Sequence, residues 1–99
     1  MTIQQEDNKK KGSFYVEQDG NRLAEMVYTW AGDKTFIVEH TEVSESLEGK
    51  GIGKQLVQQA VDFARKNDLK LIPLCPFTKG VIDKTAAFQD VLRKEWQNH

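Results

Sequence analysis

Hydrophobic residues change their spacing once along this chain, and the change falls at three closely spaced glycines. Before residue 44 the apolar side chains recur at alternate positions; from residue 51 onward they recur every three or four. A period of two belongs to a strand and one of 3.6 to a helix, so sheet must come first and a helix must follow the glycines. Residues 13–19, SFYVEQD, are rich in β-branched and aromatic types, and Asp19-Gly20-Asn21 is a turn signal. In RLAEMVYTW, residues 22–30, Ala24, Met26, Tyr28 and Trp30 alternate with Leu23, Glu25, Val27 and Thr29, which predicts a strand with a buried face. A second turn at 31–34 leads to a third strand, TFIVEHTEV, residues 35–43. Three strands on turns this short pair as an antiparallel meander.

Beyond the glycines, Ile52, Leu56, Val57, Ala60, Val61 and Ala64 form the stripe of an amphipathic helix, widened by Phe63. Arg65 and Lys66 suit its C-terminus, and Asn67-Asp68 ends it. The near-continuous apolar run LKLIPLCPF, residues 69–77, predicts a buried strand broken by Pro73 and Pro76. Val81, Ile82, Phe88, Val91, Leu92 and Trp96 predict a C-terminal helix in two pieces that part near Thr85. The expected order is β-β-β-α-β-α. This is an α+β (α/β) single domain in which an antiparallel meander leads into a right-handed strand-helix-strand crossover over 35–74 and a last helix. Residues 1–11, with Lys9, Lys10 and Lys11, are expected to form a flexible solvated segment, and residues 12–99 the domain.

Ninety-nine residues allow one core. With 38% apolar and 29% charged residues, the balance is that of a soluble globular chain. A net charge of -1 gives no basic surplus for nucleic acid. The apolar runs are far shorter than a membrane span, and MTIQQEDNKKK lacks a signal core. The lone Cys75 excludes an internal disulfide, and two histidines beside it make no metal-ligand spacing. The expectation is a cytoplasmic protein, monomeric or weakly dimeric, with no metal, membrane or nucleic-acid partner.

The glycines themselves, in SLEGKGIGKQL (46–56), stand at 49, 51 and 53. Each weakens a helix by about 1 kcal/mol relative to alanine, so three at a helix start need a reason. Glycines between strand and helix adopt positive φ and permit close approach. The first N–H groups of a helix lack partners, and its dipole favours an anion. With Lys50 and Lys54 alongside, the loop is a candidate phosphate cradle; the alternative is a tight turn without a ligand. A Walker loop would need Gly at 48 and Ser or Thr at 55, where Glu and Gln stand. The dinucleotide fingerprint would need Gly at 54, where Lys stands.

A third motif fits. Residues 48–53, ending in Gly51-Ile52-Gly53 and followed by KQLV, resemble the pyrophosphate loop Arg/Gln-x-x-Gly-x-Gly/Ala of the GNAT N-acetyltransferases. That superfamily also runs from an antiparallel meander through the loop, a helix and a strand to a last helix. The stretch from VEHTEV to PLCPF resembles the small single-domain GNAT-like proteins, with their His-Thr-x-Val strand end and a Cys-Pro after the next strand. The resemblance covers roughly residues 13–96. The first motif position is Glu48 rather than Arg or Gln, but the motif's main contacts come from main-chain donors, which Glu48 leaves in place.

The resemblance implies acetyl-CoA as cofactor. Its pantetheine arm would lie along Thr41, Glu42 and Val43, and its pyrophosphate on Gly49, Lys50, Gly51, Ile52, Gly53 and Lys54. The thioester would face Cys75, Pro76 and Phe77, and Lys79 would lend charge to the phosphates. The implied activity is acetyl transfer to an amine. Extra N-terminal helices usually wall off the acceptor in this superfamily; this chain has at most 12 residues before its first clear strand, which points to an open cleft suited to a protein or peptide amine. His40 is the general-base candidate, with Glu39 or Glu42 acting through water; a structural histidine is the alternative. Alternation places His40 with Phe36, Val38 and Glu42, and Glu39 on the other face. Cys75 is either an acyl-carrying nucleophile or a lining residue. Apolar Leu74 and Pro76 would raise its pKa, which favours lining. Two further readings stay open: a non-catalytic CoA- or acyl-CoA-binding module, and an interaction domain with a vestigial loop.

Overall fold

The computed structural model describes residues 2–97. Met1, Asn98 and His99, at the ends of the two expected segments, lie outside the described residues. Five strands form one sheet in chain order: β1 (Gln4–Asp7), β2 (Lys11–Gln18), β3 (Asn21–Trp30), β4 (Thr35–Val43) and β5 (Lys70–Pro73). The first four are antiparallel neighbours, and β5 joins β4 in parallel. That parallel pair encloses helix α1 (Ile52–Lys66), so the strand-helix-strand crossover forms where the period change predicts it. Helix α2 (Pro76–Asp83) and 3-10 turns at Ala86–Val91 and Lys94–Trp96 complete the chain.

The α1 stripe is buried as its spacing requires: Ile52, Leu56, Val57, Ala60, Val61 and Ala64 all lie in the core. Each fully buried Leu, Ile or Val contributes about 1.5–3 kcal/mol, which outweighs the glycines at the helix start. Phe63 meets Phe14, Tyr28, Trp30 and Phe36 with ring centroids 5.7, 6.2, 6.1 and 5.5 Å away, binding α1 to the middle of the sheet. At the helix C-terminus Asn67 donates to the Phe63 carbonyl from backbone and side chain, and Asp68 turns the chain at φ 55°.

Three expectations need correction. The N-terminal segment is not a solvated tail throughout: β1 pairs with β2 from Gln4↔Tyr15 to Asp7↔Gly12. All four β1 residues are exposed, so no apolar alternation marks the strand. Its anchor is polar. Asp7 accepts from the Tyr28 hydroxyl at 2.5 Å, the Trp30 indole at 2.9 Å and the Lys9 amide at 2.6 Å. Gly12 makes room for this: a Cβ there would lie 2.5 Å from both the Glu6 carbonyl and the Tyr28 hydroxyl. Second, the run 69–77 is not one strand. Pro73 cannot donate to the ladder, and Pro76 opens α2 at a first-turn position, where its fixed φ is favourable. The C-terminal helix therefore starts earlier than expected, although the break at Thr85 is present. Third, β4 carries a bulge. Val27 pairs with His40 but Tyr28 with Val38, leaving Glu39 as an extra residue. Alternation flips there. Thr41 pairs with buried Met26, whereas His40 leaves the face shared by Phe36 and Val38.

Candidate functional site

Strand β4 runs into a 3-10 turn, Glu45–Leu47, capped by the Ser44 side chain and anchored by buried Leu47. The three glycines follow, for two different reasons. Gly49 and Gly51 have φ of 80° and 71°, and a Cβ at either would meet nothing within 4 Å. Conformation, not space, demands glycine there. Gly53 is the reverse: its φ is ordinary, but a Cβ would stand 2.6 Å from Cζ of Phe77. The Phe77 ring lies directly against the first turn of α1. Gly51 caps α1 without a side-chain acceptor, and the first intrahelical bond is Gln55 N–H to Gly51 O. The N–H groups of Ile52, Gly53 and Lys54 therefore have no partner among the described residues, and the first turn holds no acidic residue. Lys50 and Lys54 are exposed beside them, in no ion pair among the described residues. Unpartnered donors, the positive end of a 15-residue helix and two lysines make this a site for an anion.

On the other side of α2's start, β4 and β5 part. Their last ladder pair is Val38↔Pro73, followed by a single bond from Cys75 N–H to Val38 O at 3.0 Å. Beyond it the chain turns into α2, and the β5-side edge of Glu39–Val43 has no strand beside it. Cys75 stands at the parting, as the residue that caps α2. Its thiol donates to Thr41 Oγ1 at 3.4 Å, and Thr41 Oγ1 lies 3.4 Å from Oγ1 of fully buried Thr78. Burial pushes the thiol up, but the Thr41 hydroxyl and the backbone and side chain of Thr78, with the Phe77 amide, outweigh it and leave the pKa below its ordinary value. The expectation of a raised pKa from Leu74 and Pro76 is thus overturned. What faces the sulfur is the start of a helix and a hydroxyl from β4.

His40 lies outside this cluster. It is exposed, its Nε2 2.9 Å from Glu42 Oε1, and that carboxylate raises its pKa. Cys75 is near enough that its charge adds to the same shift. Glu39, at the bulge, is exposed. Lys79 turns to Asp83 at 2.6 Å along α2. Among the described residues, Phe77 and Leu74 are the exposed large hydrophobic ones, 45% and 53% accessible, one on each side of Cys75 in the chain. No spacing or motif in the sequence marks Thr78. Only the knowledge that Pro76 opens a helix would have turned it toward Cys75 and Thr41.

The sequence profile of the GCN5-related N-acetyl-transferase family matches residues 13–91, which includes every element from most of β2 to the first 3-10 turn after α2. Protein NATD1 of Xenopus tropicalis is 36% identical over 75 residues, 75% of this chain and 69% of that protein. A GCN5-like protein of Staphylococcus aureus, solved by NMR, superposes with a TM-score of 0.71 at 36% identity, covering 93% of this chain and 87% of that one. The crystal structure of a ribosomal-protein-alanine N-acetyltransferase from Brucella melitensis shares the fold, with a TM-score of 0.60 at 19% identity over 93% of this chain and 70% of that one.

Proposed function

Because the chain belongs to the GCN5-related N-acetyltransferase family, we propose that it binds acetyl-CoA and transfers the acetyl group to an amine presented by a protein or peptide. One observation carries this reading. The unpartnered N–H donors of Ile52, Gly53 and Lys54 and the parting of β4 from β5 are joined by Phe77, which touches Gly53 and follows Cys75 by two residues. The loop suits a pyrophosphate. The free edge at Thr41–Val43 offers main-chain groups to an amide-bearing arm, as an added strand would use them. When bound, acetyl-CoA supplies the activated acyl group; the chain's own residues do the rest.

His40 is the residue proposed to take the amine's proton. Its raised pKa makes it a base on the alkaline side of that value, and its exposure lets it meet an amine that arrives on a large molecule. Cys75 supports a second reading, favoured by its lowered pKa. Its sulfur would attack the thioester carbonyl, forming an S-acetyl bond as the coenzyme leaves as thiol. The amine would then take the acetyl group and restore the thiol.

The test follows coenzyme thiol release from acetyl-CoA in the presence of lysine-bearing peptides. Amine-dependent release is expected. Saturable binding without release would favour the non-catalytic binding module, and no binding at near-millimolar ligand would overturn both. Undiminished release by Cys75→Ala would rule out the second reading. Lost release with binding intact, together with an acetyl-sized mass gain on wild-type protein, would support it.

A further inference from the structure

The sheet has a second face that α1 and α2 leave open. Helix α1 packs through Phe63 on the face of Phe14, Tyr28 and Phe36, and α2 reaches Thr41 on that same face. Opposite lie two cross-strand ranks: Glu6, Ser13, Val27 and His40 in one, and Gln4, Tyr15, Glu25 and Glu42 in the next. Directly paired residues share a face, so both ranks run from β1 to β4, with His40 and Glu42 at one end. We infer that a basic peptide docks across this face, its acceptor lysine at His40 and a second cation about four residues away at Glu6 and Glu25; the inference rests on the proposed acetyl transfer.

Charge selects this occupant. Two clefts of about 410 and 450 Å³ share Glu25 in their walls. Among the described residues that line them, the carboxylates are Glu6, Asp7, Glu25 and Glu42, and the cations are Lys11 and Arg22. The surplus is negative. It attracts a cationic segment and repels nucleic acid or an anionic membrane. The carboxylates are held in place. Arg22 lies 3.9 Å over the Tyr15 ring and binds Glu25 and, at 2.7 Å, Glu6. The buried Ser13 hydroxyl accepts from Arg22 at 3.3 Å and donates to Glu6 at 3.4 Å. Glu6, Glu25 and Glu42 each use one oxygen in their bonds and keep the other without a partner among the described residues. One guanidinium thus serves two carboxylates, and acceptors remain for a further cation. Val27, half-buried between Ser13 and His40, gives the methylenes of a lysine an apolar floor. Distance sets the spacing of the two cations. From β4 to β1 is roughly 14 Å at about 4.8 Å per strand, and an extended chain advances about 3.3 Å per residue.

The experiment follows thiol release from acetyl-CoA by the whole chain, with peptides that hold one lysine and carry either arginine or glutamine about four residues to one side or the other. Arginine in one of the two placements is expected to raise kcat/KM about fivefold over glutamine, through KM, and about 0.5 M salt should remove most of the gain. Glu6→Gln should bring the ratio of the two peptides close to one, and a ratio does not depend on how much enzyme is folded. An amide-resolved NMR titration of the wild-type chain with the arginine peptide is expected to shift Glu6, Ser13, Glu25 and Val27 saturably. Equal rates on the arginine and glutamine peptides in wild type, with no shift at these residues, would overturn the inference and leave acetyl transfer standing. Shifts there that depend on protein concentration without peptide would assign the face to a second copy of the chain and also overturn it. No thiol release with any peptide would overturn the acetyl-transfer reading and the inference with it.

Discussion

Replacing Tyr28 with phenylalanine isolates what holds the N-terminal strand to the sheet. The ring stays in its aromatic cluster, and only the hydroxyl is lost. That hydroxyl donates to Asp7 at 2.5 Å and accepts from the Gln5 amide at 2.8 Å. A bond to a charged group is worth about 1.5–3 kcal/mol and a neutral one about 0.5–1.5. Both strand residues are exposed, so water takes over part of each bond and the low ends apply, about 2 kcal/mol together. For a domain of this size that is a fall of roughly 10 °C in melting temperature. The pH dependence sharpens the test. Partial burial pushes the Asp7 carboxyl up, but Tyr28, the Lys9 amide and Trp30 outweigh it and hold its pKa below the ordinary 3.8. A group whose folded pKa is lowered stabilises above its unfolded value, and that contribution fades as pH falls through the folded value. The gap between wild type and Tyr28→Phe, measured by chemical denaturation, should therefore be full at neutral pH and narrow below 3.8. A gap that is absent at neutral pH, or that stays constant into acid, would refute the reasoning.

Alkylation of Cys75 as a function of pH should give a midpoint below the ordinary 9.0, and Thr41→Val should move it up, because the hydroxyl that supports the thiolate is gone; equal midpoints would contradict the cluster. An NMR titration of His40 should show Glu42→Gln shifting its midpoint down toward 6.5, since that carboxylate is the leading cause of the rise; an unmoved midpoint would sink the pairing. Gly51→Ala should cost about 1–2 kcal/mol in denaturant unfolding, entirely from forcing a Cβ-bearing residue to a φ of 71°, because no atom crowds the site. Equal stability would show that the loop relaxes out of this conformation.

Much of the framework was legible because it rests on local periodicity. The strands β2 to β4 and the buried stripe of α1 follow from period two and period 3.6, and the Asp19-Gly20 turn forms with both residues at positive φ. The failures share a cause: they depend on partners far along the chain. QQED carries no apolar signal, and its strand is secured by Tyr28 and Trp30 from β3. The bulge at Glu39 exists only in the pairing of β3 with β4, yet it decides that Thr41, and not His40, meets Cys75. The thiol's environment was misjudged from its sequence neighbours because Thr41 lies 34 residues away. Of the three glycines, the strain at 49 and 51 suited the expected loop, but the role of Gly53 depends on a ring brought in by α2.

On the proposed function, the loop at the start of α1 and the parted edge of β4 together bind acetyl-CoA. An amide-resolved NMR titration with acetyl-CoA tests it most directly. Saturable shifts are expected in the backbone amides of residues 49–54 and of Thr41, Glu42 and Val43, with one common affinity. Saturable shifts confined to other surfaces, or none at near-millimolar ligand, would contradict it.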